Sequence, residues 1–541
     1  MSANHKINRA YGGMPSGDVI KYFQNIKHII EDNDGTHDCK IITSDAYSPS
    51  CPIALPQFTK LKLTDPSVDI VNIDKGYVEF NVDARITLNI QESNHDVFND
   101  VKDLFYVFVG LKSALNFIDQ YKIYSNGRLT SAQQTRAIYE TMAVRAVKPD
   151  NELHRPGMYT RFEDVKKMSD CVCGTYLKLS ELMTAPVDVT FNFVAQIDDL
   201  LPFSAMEYYP RCAIEGDLEL EIKQLIHGNF VWCPVSVKTG AEKLLREMST
   251  INPSTFNTAI TKARGYEGIM AADQFGNEFC QCDDYMKIIL PVKYAGTGES
   301  DTNANTLLLT PFTCSVSISN PVITQCKSYI HGFNISDEAI RGIREVVNQA
   351  YVLPAQWIDV NILPQNVSQV GIRGNTVLPL NNATALILTY PRTGNQITVS
   401  KNPLQDAISV HVGDKIIPDK VMSTTDRCFA EMMLENNELD TLWQATPSFL
   451  RGFNEEDAKD KPQGDATDFC FVANLERFSN GMVFDGITDN NCQITVSSNH
   501  LSASSPYAKP DGTHLNDNHV NVLVLSDCYW IITPEGLDLV K

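Results

Sequence analysis

Cys171 and Cys173, and Cys280 and Cys282, are close cysteine pairs. Each pair is separated by one residue, whereas zinc knuckles and ribbons use a two-residue gap. Residues two apart in a strand share a face, so both pairs read as small buried hydrophobes. A metal or redox clip is the alternative for Cys280-Gln281-Cys282-Asp283-Asp284, which falls at an expected domain junction. His500, His514 and His519 share a polar stretch with Asp511, Asp517 and Asp527, but without the tight spacing of a divalent-cation site, and are expected in a solvated loop. Asp198-Asp199 and Asp283-Asp284 are adjacent pairs. In a strand such neighbours point to opposite faces and cannot converge on one bond as glycosidase carboxylates must. Gly371-Ile372-Arg373-Gly374 lacks the glycines and the Lys-Ser/Thr of a phosphate loop. Neither a Gly-x-Ser-x-Gly elbow nor a His-Glu-x-x-His helix occurs. No catalytic residue, metal ligand or cofactor is expected.

Something other than a catalytic site must therefore account for a chain of 541 residues, which is too long for one hydrophobic core and implies two large domains. Its hydrophobic content of 43% with 21% charged residues is that of a globular protein. The formal charge is −21, and residues 1–17 contain only Lys6 and Arg9 as basic groups. A protein that grips nucleic acid uses clustered lysine and arginine against phosphate, so direct nucleic-acid binding is not expected. The first 30 residues lack an apolar core behind a positive start, and no run of about 18 apolar residues follows. Secretion is not expected, and the fourteen cysteines are expected as thiols.

The periodicity after residue 57 is that of strands. Tyr77–Ile90 alternates apolar and polar residues, as do 186–197 and 217–222, while Leu104–Gly110 is a continuous apolar run and 230–235 closes a first block. A second series begins at Tyr285 and continues through 307–319, 383–390, 469–475, 492–496 and 520–533. Helical insertions are expected at 131–144, 240–248, 336–349 and 424–435. The two series repeat one another in order. Residues 119–129 align with 406–416, Phe193–Ile197 with Phe471–Leu475, 218–222 with 492–496, and Trp232 with Trp530. A period this long makes each copy a domain rather than a solenoid repeat. The expected fold is all-β dominated: two tandem eight-stranded jelly-roll sandwiches with helical loop insertions. The boundaries are 1–54 for an N-terminal arm, 55–250 for the first jelly roll, 251–283 for an inter-domain segment and 284–541 for the second.

In the arm, Ile20, Phe23, Ile26, Ile29 and Ile30 form an apolar stripe at helical spacing. Either the helix packs on its own domain, or it is an arm covered by a neighbouring copy, a minor protein or a membrane surface.

Three stretches carry a family resemblance: Ala54–Leu61; Val172–Tyr176 with Phe193–Phe203 and Phe230–Cys233; and Asn402–Gly413 with Pro418–Met433. These resemble the double jelly-roll major capsid proteins of polinton-like viruses, polintons and virophages, a lineage shared with adenovirus hexon. The resemblance implies a homotrimer of pseudo-hexagonal outline that tiles an icosahedral shell. Its partners would be further trimers, a vertex pentamer protein and minor capsid proteins, with an internal membrane left open. Its place would be the virion capsid, assembled in the host cytoplasm or nucleus. The alternatives are an RNA-virus coat protein, or a tandem jelly-roll glycan-active enzyme or lectin.

Overall fold

The computed structural model describes residues 29–30, 40–45, 53–54, 58–90, 105–130, 173–203, 206–224, 230–236, 269–270, 280–283, 286–293, 307–363, 365–368, 371–390, 405–422, 470–475, 486–500 and 520–540. The first half contains β1 (Lys40–Asp45), β2 (Ile53–Ala54), β3 (Phe58–Lys62), β4 (Ile70–Ile90), β5 (Phe105–Gly110), β6 (Ile118–Ser125), β7 (Arg128–Leu129), β8 (Gly174–Lys178), β9 (Val187–Gln196), β10 (Tyr208–Tyr209), β11 (Leu218–Gln224) and β12 (Val231–Ser236). The short β13 (Ile269–Met270) and β14 (Cys280–Gln281) lead to the second half. There follow β15 (Met286–Lys293), β16 (Leu307–Phe333), β17 (Tyr351–Ile362), β18 (Gln365–Ser368), β19 (Gly371–Thr389), β20 (Gln405–Val412), β21 (Lys415–Met422), β22 (Cys470–Asn474), β23 (Ile487–His500), β24 (Asn521–Thr533) and β25 (Gly536–Val540). The helices α1 (Leu179–Thr184) and α2 (Asp337–Asn348) interrupt this series. The all-β tandem sandwich expected from the sequence is the fold observed. The insertions expected at 131–144, 240–248 and 424–435 lie outside the described residues.

Alternation decides which way each strand faces. In β4, Val78, Phe80, Val82, Ala84 and Ile86 are buried. The residues between them point outward, where Arg85 makes two bonds to Asp188, 2.7 and 3.0 Å, and Thr190 donates to Asp83 at 2.6 Å. Each large inward side chain is worth roughly 1.5–3 kcal/mol. Inside, the rings of Phe80, Phe117, Phe191, Phe193 and Phe230 pack at centroid distances of 5.2 to 5.8 Å.

Turn chemistry sets the hairpins. Asn126 and Gly127 have φ of 49° and 72°, the left-handed pair that a tight hairpin between β6 and β7 requires. Helix α2 starts where the Ser336 hydroxyl accepts from the Ala339 amide at 3.3 Å, with Asp337 and Glu338 in the first turn. Its buried stripe is Ala339, Ile343 and Val347, and it stops at Ala350, whose φ is 63°.

The sheets show the repeat directly. One sheet of the first half runs β3-β11-β6-β7, and one layer of the second runs β19-β23-β20-β21. The segments aligned by sequence occupy the same places: β11 with β23, and the β6–β7 hairpin with the β20–β21 hairpin. Strand β19 turns a corner through register shifts at Leu378/Leu380 and Leu380/Ala383. Its first part pairs with β18 and β23, its second with β22 and β24, so it belongs to both layers of its sandwich.

The two halves are joined by backbone pairing as well as side chains. Strand β16 lies antiparallel to β4 from Cys314↔Ile90 to Phe333↔Ile70 and carries β15, β1 and β2 in the same sheet. The sheet thus continues across the boundary expected from the sequence at residues 283/284. At the other end, Trp530 donates from Nε1 to the Pro202 carbonyl at 2.6 Å and stacks on Phe203 at 6.1 Å. Nearby, the Leu537 amide donates to Ser125 Oγ at 3.0 Å, and Glu215 N to the Pro534 carbonyl at 2.8 Å.

Candidate assembly surfaces

The residues singled out for chemistry are scattered by the fold. Cys173 is fully buried just ahead of β8, and Cys280 and Cys282 are partly buried against the core, so the expected shared strand face is not found for Cys280 and Cys282. Cys282 lies in the turn after β14, its amide donating to the Phe230 carbonyl at 2.9 Å. Cys171 lies outside the described residues. Burial raises the thiols of Cys212, to about 11, and of Cys314.

Two further expectations are corrected. Asp198 and Asp199 are not strand residues with opposed faces: β9 ends at Gln196, and both carboxylates are buried in the 3-10 turn Ile197–Asp199. The His500 group is not one loop either. His500 closes β23, Asp527 is buried in β24, and His514, His519, Asp511 and Asp517 lie outside the described residues. Gly371–Gly374 opens β19 as a hairpin arm paired with β18. Among the described residues, no group of three or more His, Cys, Asp and Glu could hold a metal ion. Also among them, no helix is long and apolar enough to cross a membrane.

Of the N-terminal stripe, Ile20, Phe23 and Ile26 lie outside the described residues. Ile30 is buried in the first-half core, and half-buried Ile29 lies over α2, where a Cβ on Gly342 would sit 3.5 Å from its Cδ1. These two are covered by the chain itself.

The surfaces with a definable chemistry are the outward faces of the two repeated sheets. On the first, Lys62, Glu219 and Tyr124 form one row across β3, β11 and β6; Lys60, Glu221 and Lys122 form the next; Phe58, Lys223 and Gln120 the third. Lys60 pairs with Glu219, Lys62 with Asp217 at 2.8 Å, Lys122 with Glu221 at 3.1 Å and Lys223 with Asp119 at 3.6 Å. Lys122 and Lys223 sit 5.0 and 6.0 Å from the Phe58 ring centroid, and Lys60 sits 4.5 Å from that of Tyr124. This face is a closed lattice of opposite charges, each partner set by a cross-strand neighbour.

The matching face of the second half is built from other residues. Arg373, Ser497 and Ser409 form one row across β19, β23 and β20; Asn375, Thr495 and His411 the next; Val377 and Gln493 a third. Ser409 and Ser497 share a hydroxyl–hydroxyl bond of 2.6 Å. Val377 is 60% exposed. Sequence reading did not single out these positions, although the alternation in 371–380 and 493–497 marks which residues face outward.

No protein-family model matches the sequence, and no curated protein does. A chain in the cryo-EM structure of the Sputnik virophage aligns at TM-score 0.50 and 11% identity, over 94% of this chain and 89% of that one. The mavirus major capsid protein aligns at TM-score 0.47 and 10% identity, over 92% and 89%. The PBCV-1 virus capsid aligns at 0.45 and 8%, over 94% and 97%. The Sputnik alignment covers most of both chains and shows that the two share a fold.

Proposed function

We propose that this chain is the major capsid protein of a DNA virus or virus-like element, a structural protein with no catalytic residues. It forms homotrimers of pseudo-hexagonal outline that tile an icosahedral shell, with a different protein as pentamers at the vertices and minor capsid proteins between tiles. Its place is the virion capsid. The observation that carries this reading is a double sandwich, in which the sheet β3-β11-β6-β7 of the first half recurs as β19-β23-β20-β21 in the second and the halves are joined through β4 and β16, with the fold of the Sputnik chain across most of both lengths. Two half-domains fused into one block give a tile that keeps its outline under lateral contacts.

The charge of −21 shapes the test. Copies repel one another, so shell contacts form between protein surfaces and strengthen as salt screens the repulsion. Nucleic-acid-driven assembly has the opposite dependence, because salt competes with phosphate contacts. Purified protein is expected to sediment as a trimer and to form larger closed particles as sodium chloride rises from about 50 to about 500 mM, a range over which the Debye length shortens several-fold. Light scattering and negative-stain images read both. Monomers at every concentration and salt would overturn the reading, and assembly only on added DNA would overturn its charge argument.

A further inference from the structure

We infer that β25 and the turn before it form a strap, which opens and closes as one unit over the seam between the two halves. This is a property of the single chain and stands apart from the tile reading above.

Six consecutive residues of the segment each meet the first half. The Pro534 carbonyl accepts from the Glu215 amide at 2.8 Å, and the Glu535 carbonyl from Asn126 Nδ2 at 3.4 Å. At Gly536, whose φ is 143°, a Cβ would lie 2.9 Å from Ser125 Oγ, a close approach that glycine alone permits. The Leu537 amide donates to that same Oγ at 3.0 Å, Asp538 faces Arg128 at 3.7 Å, and the Leu539 amide donates to the Thr130 carbonyl at 3.4 Å. Apart from Glu215, these partners lie in or beside the β6–β7 hairpin.

The turn is shaped in advance. Pro534 and Glu535 form the two-residue loop between β24 and β25, with Thr533 opposite Gly536 and proline where a fixed φ suits a turn. The Thr533 hydroxyl donates to the Gly536 carbonyl at 3.2 Å. Strand β17 occupies one edge of β24. On the other edge β19 pairs as far as Ser526, and β25 takes over from Tyr529. Strand β25 therefore stands between β24 of the second half and the β7 side of the first.

The two joints between the halves are unequal. Strands β4 and β16 pair from Cys314↔Ile90 to Phe333↔Ile70, with large side chains buried beneath them. The strap holds the first half through single bonds as long as 3.4 Å and an ion pair whose partners are 67% and 58% exposed. Within 534–540 one side chain is fully buried, Leu537, in the first-half core; Leu539 is only partly covered. An exposed ion pair contributes little, and a segment with few buried apolar contacts opens at lower free energy than the whole fold. Leu537 is thus the latch. When it leaves, the β4–β16 joint and the bond from Trp530 to Pro202 remain. Opening bares strand edges on β24 and β7, which are templates for pairing with another strand, and closure covers both.

Hydrogen exchange of the full-length chain, read by mass spectrometry, tests this. Residues 534–540 and the Glu215 amide are expected to exchange at a common rate, faster than β4 and β16. Equally slow exchange in all of them would overturn the inference. Leu537→Ala is expected to speed exchange at 534–540 and at Glu215 at least about tenfold, the order set by emptying a buried leucine site, and to leave β4 and β16 unchanged. Equal acceleration throughout the chain, or none at 534–540, would overturn the inference. Should Leu537→Ala fail to fold, Arg128→Asp sets a like charge against Asp538 at an exposed position. It is expected to speed exchange of the same two segments by about two- to fivefold at low salt, and by less as salt screens the pair. No change there, or an equal change in β4 and β16, would overturn it.

Discussion

Trp530 and Trp232 occupy matching places in the repeated sequence, are both fully buried, and differ in one polar contact. The indole of Trp530 donates to the Pro202 carbonyl, 328 residues away, at 2.6 Å. Trp232 Nε1 has no hydrogen-bond partner among the described residues. Phenylalanine at either site shrinks the ring, but only at 530 does it also leave a buried carbonyl without its donor. Trp530→Phe is therefore expected to destabilise by about 1–3 kcal/mol more than Trp232→Phe, and Trp530→Ala by about 3–5 kcal/mol in all. Denaturant midpoints at constant slope measure both. Equal costs for the two phenylalanine variants would show that the Pro202 bond contributes nothing net. At this scale the sequence was partly legible. The tryptophan match was visible because composition and order carry it. The burial of Asp198 and Asp199 was not, because it depends on β9 ending one residue before Ile197.

Individual strands were readable where alternation was unbroken and were missed where a local irregularity hid the continuity. The sequence suggests strands at 77–90 and 307–319, whereas β4 begins at Ile70 and β16 runs to Phe333. Strand β16 continues past Asn320-Pro321 by shifting register between Ser319 and Val322, with Asn320 at a φ of 51°. Strand β17 was not expected at all. Pro354 interrupts its pattern, but β17 pairs with β24 alone among the described strands, so its other edge tolerates the missing amide. These hidden continuations join the halves, with a consequence for proteolysis. Cleavage within 238–268 would separate the chain between β12 and β13. Yet β15 and β16, beyond the cut, remain in the sheet of β4. The two fragments are expected to co-elute under native conditions and to part only in denaturant, as read by size-exclusion chromatography followed by denaturing electrophoresis. Two independently eluting fragments would mean that the β4–β16 pairing is too weak to hold the halves together.

At the scale of the whole molecule, the question left by the sequence is what the N-terminal stripe is for. The structure divides it. Ile30 is buried in the first-half core with Ile29 packed beside it, and β1 pairs with β16 from Lys40↔Gly332 to Asp45↔Lys327. These segments serve the chain that carries them. We propose that Ile20, Phe23 and Ile26, ahead of that anchor, are covered in the shell by a neighbouring copy or a minor capsid protein. Lys21, Lys27 and His28 would offer only weak help at an anionic membrane surface, so protein is the favoured cover. Two truncations separate the roles. Removing residues 1–28 keeps Ile29, Ile30 and β1, so the thermal midpoint should stay where it is. Closed shells should nevertheless become rare in negative stain, because burial worth roughly 1.5–3 kcal/mol per large side chain is lost from each inter-subunit contact. Removing residues 1–50 also takes away Ile30 and the strand that covers the β16 edge. That chain should unfold at a lower temperature and aggregate through the exposed edge. If the 1–28 deletion already lowers the midpoint, the whole stripe belongs to the sandwich; if it closes shells as the full chain does, Ile20, Phe23 and Ile26 have no part in assembly.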